Sequence, residues 1–184
     1  IVVRLVGSEM CIRDSCGSFS KSIAPALRVG YLIANWEVLS RILPYKTDAG
    51  SGSLEQMALA EFCKENFNSH VKTIKNKLQK KSEAICNALD KYFGSSAEYK
   101  KPDGGIFVWV DMHKKVDTSR LYELALKDGV AINPGNEWSI NKSGRHKMRL
   151  CFGNPSIKEI DEGIKRLAII CRKEFGIPTK IANL

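Results

Sequence analysis

An α/β layered fold is predicted for this chain, and three observations predict it. Long stretches carry apolar residues at three-, four- and seven-residue steps, the spacing of a helix with one buried face. In the C-terminal third, short β-rich runs alternate with helical ones, the pattern of a sheet covered by helices. Hydrophobic residues make up 43% and charged residues 27% of the 184 residues, ordinary values for a chain that buries a core.

The elements follow in order. Val29 to Ala34 is a β-rich run. Ser53-Leu54-Glu55-Gln56 fits a capping box, in which a hydroxyl and a side chain three residues on satisfy orphan amides, and a helix is expected from Ser53 to about Asn66. A second helix takes up Val71, Ile74, Leu78, Ile85, Leu89 and Tyr92 and stops at Gly94. Its lysines (Lys72, Lys75, Lys77, Lys80 and Lys81) read as a solvated face, because no aromatic residues interleave with them as a stacking platform requires. Ile106 to Val110 is a strand behind Gly104-Gly105, and Thr118 to Lys127 is a helix ended by Gly129. Val130-Ala131-Ile132 is a strand before a Pro134-Gly135 turn, and Met148 to Phe152 another strand. A second capping box, Ser156 to Glu159, opens a helix from Ile157 to Phe175 with Ile160, Ile164, Leu167, Cys171 and Phe175 on one stripe.

Composition sets limits on function. The longest apolar runs fall far short of the ~20 residues that span a bilayer, so no membrane partner is expected. Six cysteines show no CxxC spacing and no accompanying His pair, so no metal site is expected. Without a visible secretory signal they read as reduced thiols, which makes the expected location cytoplasmic. The three histidines are far apart and read as surface or packing residues. A net charge of +9 keeps a nucleic-acid surface or a phosphate-bearing ligand open. Residues Leu5 to Ser15 have neither period and resemble translated adapter sequence; residues 1–15 are expected to be a non-native leader.

The stretch from Gly17 to Tyr31 carries chemistry. Ser18 and Ser20 stand immediately before Lys21, and Arg28 follows seven residues later. Hydroxyls with a guanidinium suit a phosphate dianion: neutral donors set geometry, and a permanent planar cation supplies charge. A lysine between them can form a Schiff base with an aldehyde cofactor. Read alone, the same residues also fit a Ser-rich turn with an exposed lysine and a surface arginine.

The segment Gly17-Ser18-Phe19-Ser20-Lys21, continued by Ala24-Pro25 and Leu27-Arg28, resembles the cofactor-lysine segment of class I/II pyridoxal-5′-phosphate (PLP)-dependent aminotransferases of fold type I. Within them it is most similar to the 2-aminoadipate/kynurenine aminotransferase branch. Three more features match in order: Pro102 through Gly104-Gly105-Ile106-Phe107-Val108-Trp109, the loop Val130 to Gly135, and Arg149-Leu150-Cys151-Phe152 with the helix around Ile160 to Leu167. The resemblance implies that Lys21 is the catalytic, cofactor-bound lysine, that Ser18, Ser20 and Arg28 hold the cofactor phosphate, and that Arg149 clamps the substrate α-carboxylate. It further implies ping-pong transfer of an amino group from an α-amino acid to a 2-oxo acid, with Lys21 as general base. That role requires a lysine pKa well below the reference ~10.4.

The resemblance also implies domains: 16–70 as the C-terminal part of the PLP-binding large domain, and 71–184 as the connecting helix and small α/β domain. Measured against the family pattern the chain is expected to be a fragment, binding PLP weakly and inactive alone, with a homodimer for the full-length protein. Fold type I also hosts C–S lyases, decarboxylases and racemases. PLP-domain transcription regulators carry a similar lysine segment; retention of Gly104-Gly105-Ile106-Phe107-Val108-Trp109 favours the enzyme, and no nucleic-acid partner is expected.

Overall fold

The computed structural model describes residues 15–140, 143–178 and 180. Most of the expected leader, with Cys11, therefore lies outside the described residues; Ser15, its last residue, already pairs with Ile33 in a strand. The chain divides into two compact units between Ile74 and Lys75.

The first unit opens with a two-stranded antiparallel ribbon, β1 (Ser15–Ser18) and β2 (Gly30–Ile33). Gly17 faces Tyr31 across it, and the Tyr31 ring occupies the space where a Cβ on residue 17 would sit. A Cβ there would have to displace the ring. Helix α1 (Trp36–Ile42) follows, started by Asn35, whose side chain accepts a hydrogen bond from the Val38 amide at 2.8 Å.

Helix α2 runs unbroken from Ser53 to Tyr92, where sequence periodicity suggests two helices parted near Asn66. The polar residues at that join bond within the helix rather than ending it. The Ser69 hydroxyl donates to the Asn66 carbonyl and the Thr73 hydroxyl to the Ser69 carbonyl, each at 3.0 Å. With no Gly or Pro there, nothing stops the helix. Its start also differs. The Gln56 amide donates to Gly52 O, and the Gln56 side chain reaches the Ser51 carbonyl at 2.7 Å. The first turn thus begins one residue earlier than a Ser53 cap requires, and the Glu55 carboxylate folds back over Gly52.

The second unit is a four-stranded antiparallel sheet in the order β3 (Ala97–Tyr99), β4 (Phe107–Met112), β6 (Lys147–Cys151), β5 (Asn133–Pro134). Side chains alternate along its strands. Val108, Val110, Met112, Met148 and Leu150 are buried in one cluster with Ile85 and Leu89 of α2, Leu121 and Ala125 of α3 (Thr118–Lys127), and Ile160, Ile164 and Leu167 of α4 (Ile157–Phe175). The other set, Phe107, Trp109, Lys147, Arg149 and Cys151, is half-buried or exposed.

Helices α3 and α4 have the expected bounds because their caps are local. Asp117 accepts from the Ser119 and Arg120 amides, and Ser156 forms the full capping box with Glu159. The strand expected at Val130–Ile132 is displaced to Asn133–Pro134. Val130 N is taken by Ala125 O at 2.8 Å in closing α3, so pairing with β6 begins only at Asn133 opposite Arg149. Lys81, expected on a solvated face, instead donates to the carbonyls of Gly153 and Asn154 at 2.9 and 3.1 Å.

Among the described residues no helix is long and apolar enough to cross a membrane. Of the cysteines, Cys86 and Cys171 are buried, Cys16 and Cys151 exposed. Burial pushes the Cys171 thiol up to about 12, so this sulfur packs as an inert apolar group.

Candidate functional site

The turn joining β1 to β2 gathers four of the five sequence-predicted residues, Ser18, Ser20, Lys21 and Arg28. Its mouth is closed by Phe19 N donating to Val29 O at 3.1 Å, and its near arm turns back through Ile23 N to Phe19 O at 2.8 Å. Within the turn the Ser18 hydroxyl lies 3.0 Å from the Ser20 hydroxyl and accepts from the Ser20 amide at 3.2 Å. Pro25–Leu27 forms one 3-10 turn, capped by Arg28.

Arg28 has a left-handed backbone, φ 51° and ψ 35°, the single non-glycine residue with positive φ among those described. An L-residue in that region costs about 1–2 kcal/mol. The conformation turns the side chain back over its own loop: Nη1 donates to Pro25 O at 3.0 Å and reaches Ser20 Oγ at 3.5 Å. Two hydroxyls and a guanidinium therefore share one concave turn. No carboxylate pairs with Arg28 among the described residues. A site with hydroxyl donors, a fixed cation and no internal counter-ion suits an external anion of phosphate type.

Lys21 is on the same loop, directly after Ser20, and its side chain is exposed. The described residues do not supply the burial that a lysine general base requires.

Arg149 belongs to the second unit, on β6 opposite Trp109 of β4 and Asn133 of β5. Its guanidinium carbon lies 4.1 Å from the Phe107 ring centroid and 3.8 Å from that of Trp138. Nη2 approaches Asn133 Oδ1 at 3.5 Å, and Nε is buried with no hydrogen-bond partner. Sequence reasoning found Arg149 but not its three neighbours. Trp138 is 54% exposed, and its ring centroid lies 3.8 Å from the guanidinium carbon. The cross-strand register that sets Asn133 beside Arg149 depends on where β5 begins, which periodicity misplaced.

Comparison with known proteins gives these two sites a context. The family described as Aminotransferase class I and II matches residues 13–167. The 2-aminoadipate transaminase of Thermus thermophilus is 33% identical over 153 residues, 82% of this chain and 38% of its own length. The HTH-type transcriptional regulator YisV of Bacillus subtilis is 33% identical over 160 residues, 85% of this chain and 33% of its own length. Among solved structures, the α-aminoadipate aminotransferase LysN of Thermus thermophilus, complexed with N-(5′-phosphopyridoxyl)-L-leucine, superposes with a TM-score of 0.80 at 31% identity. That superposition covers 86% of this chain and 41% of LysN. The chain thus spans between a third and about two fifths of the length of these relatives, and its fold is that of the fold type I aminotransferases. By the extent of the match, this chain belongs to the class I and II aminotransferase family.

Proposed function

We propose that this chain is the cofactor-lysine and small-domain portion of a PLP-dependent aminotransferase that moves an amino group from an α-amino acid to a 2-oxo acid. The observation that carries the reading is the turn holding Ser18, Ser20 and Arg28 together beside Lys21, with no carboxylate paired to the guanidinium among the described residues. When bound, pyridoxal 5′-phosphate would supply an aldehyde that condenses with amines and a ring that draws electrons from the attached carbon.

The chain's own groups do the rest. Ser18 and Ser20 would donate hydroxyl hydrogen bonds to the phosphate, and Arg28 would supply its counter-charge. The Lys21 amine would accept and hold the substrate Cα proton at Nζ. Arg149 binds the substrate α-carboxylate, fixing the direction of the Cα–H bond. In domain terms, residues 16–70 are the end of the large domain and 71–184 the connecting helix and small domain. The exposed apolar side chains Leu32, Ile33, Trp36 and Leu43 of the first unit fit the edge of a larger body, and the full-length protein is proposed to be a homodimer.

The test is reductive trapping. The chain is incubated with pyridoxal 5′-phosphate, treated with borohydride and peptide-mapped. Label is expected on Lys21, and Arg28→Gln is expected to raise the concentration needed for half-labelling by about tenfold or more, the weight of a charge-assisted contact. Pyridoxal, which lacks the phosphate, should be indifferent to Arg28. Label concentrated on another lysine overturns the assignment.

A second reading has its own support: the transcription regulator YisV matches as well as the transaminase does. On that reading the same loop binds cofactor as a sensor. Reading the source gene upstream separates the two, since a winged-helix segment there marks a regulator.

A further inference from the structure

Arg149 is held differently from Arg120, Arg145 and Arg166 of the second unit. Arg120, Arg145 and Arg166 each pair with a carboxylate. Arg149 has no ion pair among the described residues, and its Nε is shielded and unpartnered. Its one hydrogen bond, to Asn133, is long at 3.5 Å. A buried charged donor without an acceptor is costly. What holds the side chain in place is a pair of rings, Phe107 at 4.1 Å and Trp138 at 3.8 Å.

The choice of rings over a carboxylate has a physical consequence. An acidic neighbour would hold the arginine but would neutralise it and occupy its N–H groups. Aromatic rings attract the cation through their π faces and consume no donor. The guanidinium is therefore located while its charge and hydrogen-bonding edge stay uncommitted. The turn that carries Trp138 is itself tightly packed at its start. Trp138 ends the 3-10 turn Gly135–Trp138, and Gly135 lies against the Gly144 and Lys147 carbonyls at a spacing that excludes any Cβ.

We propose that Trp138, together with Phe107, is a positioning residue for Arg149. Both rings hold the guanidinium without using an N–H, so a carboxylate can be received at its terminal Nη groups, and the neighbouring buried Nε–Hε reports the change. This rests on the reading of Arg149 as the carboxylate anchor, and assigns to Trp138 a role that this reading does not need.

The experiment uses the 184-residue chain, with the Arg149 Nε–Hε resonance assigned by its loss in Arg149→Lys. Sodium pyruvate is titrated in at constant ionic strength, with methylammonium chloride as control. The wild-type resonance is expected to move saturably with pyruvate and not with methylammonium. Trp138→Leu should weaken binding by about five- to tenfold, in keeping with loss of a partly desolvated cation–π contact. Trp138→Phe, which keeps a π face, should restore it to within about twofold. Because Trp138 is more than half exposed, both variants are expected to fold, and unchanged dispersion of the sheet amides checks this. If the wild-type resonance ignores pyruvate, the anchor reading falls and this inference with it. If the wild type responds and the leucine variant binds equally well, or phenylalanine fails to rescue, the anchor stands and the role of Trp138 is refuted.

Discussion

Arg28 and Arg149 are held by opposite means, and the two units that carry them differ in the same way. Arg28 is aimed by its own backbone, a left-handed residue capping a short turn, in a unit whose buried apolar side chains among the described residues are Val29 and Leu59. Arg149 keeps ordinary strand geometry and is aimed by side-chain stacking over a sheet whose far face is a full hydrophobic core. A loop without a core can orient a side chain only through local dihedrals and must bear their strain. A packed sheet can do so through neighbours brought from distant parts of the chain.

The largest expected contrast lies in truncating apolar side chains. Phe152 is 1% exposed within the core of the second unit, and Phe152→Ala should cost about 3–5 kcal/mol in urea unfolding. Leu32 on β2 is 38% exposed, and Leu32→Ala should cost about 1 kcal/mol or less. Similar losses for the two would break the distinction between the units.

Replacing Arg28 by glycine sharpens the strain argument. Arg28→Gly relieves the left-handed penalty and should stabilise the loop by about 1 kcal/mol, read as roughly fivefold slower exchange of the Phe19 amide that closes it. The same change should weaken phosphate binding. A loop that loosens instead would mean that the Ser20 and Pro25 contacts of the guanidinium outweigh the dihedral strain.

The smallest effect belongs to a surface pin in the second unit. The Tyr92 hydroxyl donates to Asp161 at 2.8 Å, and this bond, with Lys91 nearby, holds the Asp161 carboxyl below its usual value of 3.8. Because the folded state binds that proton less tightly than the unfolded chain, the contribution is complete above the unfolded value. It is lost as pH falls through the lower folded value. The Asp161 side chain is 47% exposed, so Asp161→Asn should cost under about 1 kcal/mol at pH 7 and flatten the acid limb of the stability profile. An unchanged acid limb would remove the pin from the account.

Legibility in the sequence followed the range of the forces involved. Helices α3 and α4 could be read to their last residues because Asp117 and Ser156 cap amides two or three positions away. The loop of Ser18, Ser20, Lys21 and Arg28 was legible for the same reason: its members lie close together along the chain. Misreadings arose where a local signal was outvoted. The polar join in α2 bonds inside the helix, and the Val130 amide is drawn into closing α3, which moves β5 by several residues.

The sequence by itself determined the alternation of elements, the starts of α3 and α4, and the grouping of Ser18, Ser20, Lys21 and Arg28, because each is encoded by neighbouring residues. Only the tertiary structure decided what surrounds Arg149. Phe107, Asn133 and Trp138 come from separate segments, brought together by the antiparallel pairing of β4, β6 and β5. Strand register and side-chain stacking are sums of weak contacts between residues far apart in sequence, and no local pattern records them.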